Sequence, residues 1–222
     1  MAVEEDSVVH SGSEQQLLER KHYILGYGSL ISHDSRFRFT DINVAAIAAQ
    51  VSGWQRSWNM ASPNENITCV GALPSDNGDM NGVLVEVDTI SEKLRKREQN
   101  YHFVELDPAD IKIYSAAGQL HQSIDFHRSR IWVCQVSDPH GPKQSHPVCQ
   151  SYVDTCLSGC LEQADESFAR DFIEQTLGWD GYWLNDRQNP LYPRAARVSE
   201  ETQKQIDALL CDSGLLNLRR EV

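Results

Sequence analysis

The stretch His22-Tyr-Ile-Leu-Gly-Tyr-Gly-Ser-Leu30 decides the fold, because an apolar run stops there at a glycine-punctuated turn. The run over residues 22–25 lacks polar alternation, which is typical of a strand buried on both faces of a sheet. Glycines on both sides of Tyr27 allow a sharp turn that brings successive N–H groups onto one concave surface. Such a surface could bind a carboxylate, a phosphate or an oxyanion, although an ordinary tight turn explains the same pattern.

This turn does not match the common nucleotide-binding motifs. The third glycine and the following helix pattern of a dinucleotide fingerprint are missing, and no Gly-Lys-Ser/Thr sequence follows as in a Walker loop. The turn is therefore neither a dinucleotide fingerprint nor a Walker loop.

Short strands separated by turn residues are predicted to follow. We expect a bend at Gly53 and a turn over residues 75–78, where the sequence is Ser-Asp-Asn-Gly. The predicted strands are residues 22–25, 44–60, 68–70, 82–87, 102–106, 111–115, 122–126 and 131–136. Strands at such short intervals predict an α+β fold built on a small, partly closed antiparallel or mixed β-barrel with flanking helices.

The last third of the chain is predicted to be helical. Apolar pairs recur about every four residues over residues 148–161 and again over 168–177, which predicts two amphipathic helices packed as a hairpin. Ser199 is expected to begin a last helix. The predicted organisation is a flexible leader (1–20), one domain (21–162) and a helical and aromatic C-terminal extension packed on that domain (163–222).

The composition narrows the class of partners. The chain of 222 residues has 32 acidic and 20 basic residues and a net charge of −12, which argues against nucleic acid and anionic membranes as partners. No apolar run is long enough for a membrane span, and the first residues lack the features of a signal peptide. Six cysteines at irregular spacing, without a Cys-x-x-Cys pair, indicate reduced thiols and a cytoplasmic location.

A glutamate on an apolar helix face is the main catalytic candidate. A helix over residues 89–101 is predicted from the capping box formed by Thr89 and Glu92. Glu98 falls on the same face as Leu94 and Tyr101, whereas Lys93, Lys96 and Arg97 are expected to point elsewhere. Loss of water would raise the pKa of Glu98 toward the range of a general base. A structural glutamate satisfied by one of the neighbouring cations explains the same pattern.

Together these segments resemble the γ-glutamylcyclotransferase-like proteins, and most of all their ChaC-type, glutathione-degrading branch. The resemblance rests on residues 27–30 behind a buried strand, on the strand over residues 82–87 followed by Arg97-Glu-x-x-Tyr101, and on a helix after Pro147 that carries Tyr152 and Gly159. It spans residues 22–162.

The resemblance implies a fold, an activity and a site. The implied fold is the cyclotransferase fold, and the implied reaction releases 5-oxoproline from a small γ-glutamyl peptide or amine, with glutathione possible and no cofactor or metal. Glu98 would be the catalytic carboxylate. The substrate-binding residues would be Tyr27, Gly28, Ser29, Leu30 and Tyr152. Because the α-amine of the substrate is the nucleophile, no protein nucleophile is needed.

Two other functional classes remain open at this point. One is a binding or regulatory module that holds a γ-glutamyl ligand without chemistry, and the other is an amide hydrolase that uses water. Weaker candidates are Glu105 as a second acid or base, a metal site at His140, His146 and Cys149, and a catalytic thiol near His146. We interpret the cysteines of the helix over residues 148–161 as core residues instead.

Two segments depart from the resemblance. The stretch over residues 178–194 is aromatic and rich in proline, and arginines lie in it and just after it. It is either a lid whose arginines bind a second carboxylate or a covering whose aromatic rings pack on the barrel. The run Gly53-Trp-Gln-Arg-Ser-Trp58 also differs from the corresponding run of the glutathione-specific branch. Both departures concern the choice of substrate rather than γ-glutamyl chemistry itself.

Overall fold

The computed structural model describes residues 20–40, 42–87, 91–115 and 124–221. The strands are β1 (Lys21–Gly26), β2 (Ala46–Ser62), β3 (Ile67–Val87), β4 (Tyr101–Glu105), β5 (Ile111–Ile113), β6 (Ser129–Val136), β7 (Val148–Cys149), β8 (Thr176–Leu177), β9 (Trp183–Asn185) and β10 (Arg220–Glu221). The α-helices are α1 (His33–Phe39), α2 (Glu92–Arg97), α3 (Gln150–Gln163), α4 (Glu166–Glu174) and α5 (Glu200–Asp212). Short 3-10 turns lie at Ser29–Ile31, Pro108–Asp110, Phe126–Arg128 and Leu216–Leu218.

Strand β1 occupies the centre of the main sheet. It pairs antiparallel with β3 and parallel with β6, so both of its edges are hydrogen-bonded. Tyr23, Ile24 and Leu25 are buried, as the apolar run over residues 22–25 predicts. The prediction of a strand buried on both faces is therefore confirmed.

Strands β2 and β3 form one long hairpin with an irregularity in its middle. Ser52 pairs with Asp79 and Trp54 with Pro74, so that Gly53 alone stands opposite the four residues 75–78. Gly53 has a φ of 80°, which suits glycine, and the predicted bend lies there. The predicted turn over residues 75–78 is wrong, because these residues form a bulge within a continuous β3.

The main sheet has seven strands and curls back on itself. Its order is β4-β6-β1-β3-β2-β5, and β8 pairs with β2. Beyond the end of β1, β6 also reaches β3 through Ala72 and Gln135. This extra pairing confirms the α+β fold with a partly closed barrel. The strand predicted over residues 122–126 is wrong where it is described, since Phe126 begins a 3-10 turn capped by Asp125; residues 122 and 123 lie outside the described residues.

Helix α3 packs against β2 and β3 of the sheet, and most of its residues are buried. It begins at Gln150 rather than at residue 148, because Val148 and Cys149 form β7, which pairs with β9. Helices α3 and α4 contact each other as the predicted hairpin. The second amphipathic helix ends at Glu174, and Thr176 instead pairs with Arg56 as part of β8.

The C-terminal part packs on the barrel through several contacts. Helix α5 contacts α3, and a second sheet of three strands has the order β10-β9-β7. The ring of Trp179 lies 5.0 Å from that of Trp58 in β2. The division into a domain (21–162) and an extension (163–222) stays a prediction, as does the flexible leader, since residues 1–19 lie outside the described residues. None of the described helices is both long and apolar enough to cross a membrane.

Candidate active site

The glycine-bearing loop over residues 26–30 forms one wall of a buried pocket. Strand β1 ends at Gly26, and the chain turns at once into the 3-10 turn that begins at Ser29. A Cβ atom on Gly28 would lie 2.6 Å from the Tyr152 hydroxyl oxygen and 2.7 Å from Val70 Cγ2. Glycine is therefore required here by close contact with the pocket. The first amides of such a turn have no partner within the turn, which leaves them available to a ligand.

A buried arginine supports this loop from the core. Arg56 is fully buried and donates hydrogen bonds to the carbonyl oxygens of Tyr27 (3.2 Å), Asn81 (2.7 Å) and Phe172 (3.0 Å). Burial lowers the pKa of Arg56 to about 10, so the guanidinium still carries its charge at neutral pH. The loop thus lies over a fixed positive charge.

Glu98 follows the last residue of α2 and lies inside the pocket. The side chain of Ser91 accepts a hydrogen bond from the Leu94 amide at the start of the helix; the predicted capping residue Thr89 lies outside the described residues. Leu94 is buried, and the Glu98 side chain is only 11% exposed. The predicted inward orientation of Glu98 agrees with this placement. Desolvation raises the pKa of Glu98, while the charges of Arg97 and Arg194 oppose that rise.

Arg97 also lies in the pocket, so the prediction that it points elsewhere is wrong. Its side chain is 5% exposed, and its Nε lies 3.4 Å from Oε1 of Glu98. Its Nη2 donates to Ser29 Oγ at 2.9 Å, and its Nη1 is buried without a hydrogen-bond partner among the described residues. The prediction failed because Arg97 follows the buried Leu94 by three residues within α2, and residues three apart share one face of a helix. The predicted helix over residues 89–101 is also too long, since α2 ends at Arg97 and Tyr101 begins β4.

Three tyrosines line the pocket. Two of them form hydrogen bonds through their hydroxyl groups, and the third packs against other aromatic rings. Tyr27 donates a hydrogen bond to the Cys134 carbonyl oxygen, and Tyr101 donates to the Val70 carbonyl oxygen at 2.9 Å. Tyr152 on α3 packs edge-on against other rings of the core. Burial raises the pKa of all three phenols, so they act as neutral groups.

The C-terminal segment supplies two further pocket residues, which were not among the predicted site residues although the segment was considered as a lid. The Tyr192 hydroxyl donates to Ser29 Oγ at 2.7 Å, and Arg194 binds Glu65 through two contacts of 2.5 and 3.3 Å. Buried Trp179 and Trp183 show that the segment also covers the barrel. The sequence left a lid and a covering as alternatives for residues 178–194. In the structure the segment both packs on the barrel and reaches the pocket.

The pocket encloses a small cavity of about 50 Å³. It brings together all of the predicted site residues. The lining residues are Leu25, Tyr27, Gly28, Ser29, Leu30, Met60, Cys69, Val70, Arg97, Glu98, Tyr101, Cys134, Tyr152, Tyr192 and Arg194.

The weaker candidates lie outside this pocket. Glu105 forms an exposed ion pair with Arg130, with N–O contacts of 3.0 and 2.6 Å. His140 pairs with Asp138, and within the described ranges no cluster of three or more His, Cys, Asp or Glu residues could hold a metal ion. Burial raises the pKa of Cys149 and of Cys160 to about 12, which keeps both thiols protonated and unreactive.

Comparison with known proteins supports the fold. No family model matches the sequence, and no curated protein matches it. A γ-glutamyl cyclotransferase of known structure is similar over 85% of this chain and 99% of its own, with a TM-score of 0.51 and 12% identity. An uncharacterized protein from Homo sapiens covers the same shares, with a TM-score of 0.50 and 14% identity.

At these identities the likeness concerns the fold alone. A yeast cyclotransferase specific to glutathione also matches, over 89% of this chain and 98% of its own, but its TM-score of 0.39 at 13% identity carries no argument. The chain therefore has a fold like that of γ-glutamyl cyclotransferases, as the sequence resemblance implied.

Proposed function

We propose that this protein is a γ-glutamylcyclotransferase-type enzyme, which releases 5-oxoproline from a small γ-glutamyl peptide or amine. The observation that carries the proposal is the placement of one desolvated carboxylate, Glu98, in the same small cavity as the loop over residues 27–30. The cyclotransferase-like fold supports the same reaction class. A cytoplasmic location and the absence of nucleic-acid partners stay predictions from the sequence.

The reaction needs a curled substrate and one group that moves protons. The α-amine of the γ-glutamyl group attacks its own γ-carbonyl carbon, and the carbonyl oxygen becomes an oxyanion. When the C–N bond breaks, the carbonyl re-forms and the ring closes as 5-oxoproline. Glu98 takes the proton that the attacking nitrogen loses and delivers a proton to the leaving nitrogen. The shared cavity of Glu98 and the loop over residues 27–30 supports this role, because a γ-glutamyl group curled against that loop would have its α-amine close to the carboxylate.

The environment of Glu98 suits both halves of this proton transfer. An ordinary glutamate is a weak base at neutral pH, and desolvation makes Glu98 a stronger one. The charges of the nearby cations Arg97 and Arg194 oppose the rise of its pKa and favour the ionised carboxylate. Amides of the loop could stabilise the oxyanion, since they begin a helical turn.

Product identification tests the proposal. The wild-type protein is incubated with glutathione, γ-glutamyl dipeptides and γ-glutamyl amines, and the products are identified by mass spectrometry. We expect 5-oxoproline and one equivalent of free amine or peptide from at least one substrate. Free glutamate instead would indicate an amide hydrolase that uses water. Binding of these compounds without any product would indicate a regulatory module.

A further inference from the structure

The Ser29 hydroxyl group in the pocket already accepts two hydrogen bonds. Arg97 Nη2 donates to its oxygen at 2.9 Å and the Tyr192 hydroxyl donates at 2.7 Å. A serine oxygen has two lone pairs and carries one hydrogen of its own. With both lone pairs in use, the Ser29 hydrogen has no acceptor of its own among the hydrogen bonds of the described residues. In this arrangement Ser29 acts toward a ligand as a donor.

Arg97 adds a second unused donor beside it. Its Nη1 is buried without a hydrogen-bond partner in the described part of the chain, and only 5% of the side chain is exposed. Leaving a charged donor unsatisfied in a buried site is costly, so such a group is expected to meet an acceptor in the working state. Two donors from one guanidinium and one hydroxyl define a receptor for an oxygen anion.

The position of Glu98 identifies which part of a γ-glutamyl ligand this anion is. In the proposed reaction Glu98 takes a proton from the α-amine, and the α-carboxylate is attached to the same carbon as that amine. The carboxylate must therefore lie close to Glu98. Arg97 Nε lies 3.4 Å from Glu98 Oε1, and Arg97, Ser29 and Glu98 line the same pocket, so the guanidinium and the Ser29 hydroxyl group lie beside that place.

We propose that Arg97 and Ser29 bind the α-carboxylate of the substrate, and that Tyr192 is a positioning residue that fixes the Ser29 hydroxyl for this contact. The inference rests on the proposed function and adds the residues that select an α-amino acid head group. It also gives the C-terminal segment a part in recognition, since Tyr192 reaches Ser29 from outside the barrel strands.

Binding of two lactams tests this assignment without any turnover. 5-Oxoproline carries the carboxylate, whereas 2-pyrrolidinone is the same ring without it. We expect the wild-type protein to bind 5-oxoproline more tightly than 2-pyrrolidinone in titration calorimetry. Arg97→Gln should weaken 5-oxoproline binding by about 10- to 100-fold and leave 2-pyrrolidinone binding unchanged. Tyr192→Phe, which removes one hydroxyl, should weaken it by about 3- to 10-fold with the same selectivity.

Controls separate recognition from folding. Arg95→Gln changes an exposed arginine of the same helix and should bind both lactams as the wild type does. Arg97→Lys keeps a cation and should recover part of the lost 5-oxoproline affinity, which a purely structural role would not explain. Thermal melts of all variants, followed by circular dichroism, identify any variant that does not fold.

Each result decides the inference separately from the reaction. Equal wild-type affinity for the two lactams would overturn it, as would equal losses for both lactams in Arg97→Gln. Carboxylate-selective binding that depends on Arg97, without 5-oxoproline release from any substrate, would keep the binding site and reject the proposed reaction. Release of 5-oxoproline by a protein without that selectivity would keep the proposed reaction and reject the carboxylate-binding site.

Discussion

Two buried contacts between arginine and a carboxylate differ in how completely they are satisfied. At the junction of α3 and the C-terminal segment, Arg187 binds Asp154 through Nε at 2.7 Å and Nη2 at 2.8 Å, and binds Asp207 through Nη1 at 2.7 Å. In the pocket, Arg97 meets Glu98 through one contact of 3.4 Å and keeps Nη1 without a partner in the described ranges.

We interpret the Arg187 contact as one that stabilises the fold and the Arg97 contact as one that is completed by a ligand. Hydrogen bonds with Asp154 and Asp207 raise the pKa of Arg187 although burial opposes them, so that pair is fully engaged. Desolvation dominates at Glu98 and raises its pKa instead. A buried polar cluster left incomplete costs stability, and a ligand that completes the cluster in the pocket would remove that cost.

The largest expected effect is loss of activity at the incomplete contact. Glu98→Gln keeps the shape of the side chain and removes its proton exchange, so the rate of 5-oxoproline release should fall by about 10²- to 10⁴-fold. The rate of 5-oxoproline release is measured by mass spectrometry with the substrate that the wild-type protein converts fastest. Glu105→Gln, which changes an exposed ion-paired glutamate, is the control and should keep the wild-type rate. Undiminished turnover by Glu98→Gln would remove this residue from the mechanism.

The complete contact should instead respond in stability. Arg187→Met leaves the buried carboxylate of Asp154 without a cation, with only the Gln150 amide still donating to it at 2.8 Å, which should lower the free energy of unfolding by about 3–5 kcal/mol. Urea denaturation measures the loss. The matched change Arg97→Met should cost less, because Glu98, with its raised pKa, can take up a proton. A larger loss for Arg97→Met than for Arg187→Met would reverse the comparison.

A smaller effect is expected where the loop meets the pocket wall. Gly28→Ala places a methyl group 2.6 Å from the Tyr152 hydroxyl oxygen, so the wall must shift. The free energy of unfolding should fall by about 1–3 kcal/mol, as for other overpacked sites. Gly141→Ala is the control, since its Cβ would have no neighbour within 4 Å. Equal stability of the two variants would show that the loop does not pack tightly on the pocket.

The smallest effect concerns the pH dependence of stability. Because the pKa of Glu98 in the folded protein lies above its usual 4.5, the folded state holds more protons between the two values. The free energy of unfolding should therefore fall as pH rises from 4.5 through the raised pKa. Glu98→Gln lacks this contribution, so its stability relative to the wild type should increase over the same pH range. A constant difference in urea denaturation would argue against a desolvated Glu98.

The sequence predicts local features of this molecule better than its long-range contacts. The apolar run of β1, the bend at Gly53 and the inward face of Leu94 follow from spacing and from the conformational freedom of glycine. Arg97 was misplaced although its spacing of three from Leu94 puts both residues on one helix face, because only Glu98 was assigned to that inward face. The contact of Tyr192 with Ser29 spans 163 positions, and no local pattern signals it.

The segment over residues 178–194 shows the same limit. Its aromatic residues predict burial, and the structure buries Trp179 and Trp183. Which arginine reaches the pocket cannot be read from the sequence, because Arg187 and Arg194 are separated by only seven residues. The partners decide it: Arg187 meets carboxylates of α3 and α5, and Arg194 meets Glu65 in the turn between β2 and β3.

Direct titration of Glu98 tests the central claim, that one dry carboxylate in the pocket exchanges the proton of the reaction. Carboxyl carbons of glutamate are labelled with ¹³C, and the signal that disappears in Glu98→Gln is followed by NMR as pH is varied. We predict a pKa for this signal above the usual 4.5. A pKa at or below 4.5 would contradict the account, because Glu98 would then be an ordinary ion-paired carboxylate.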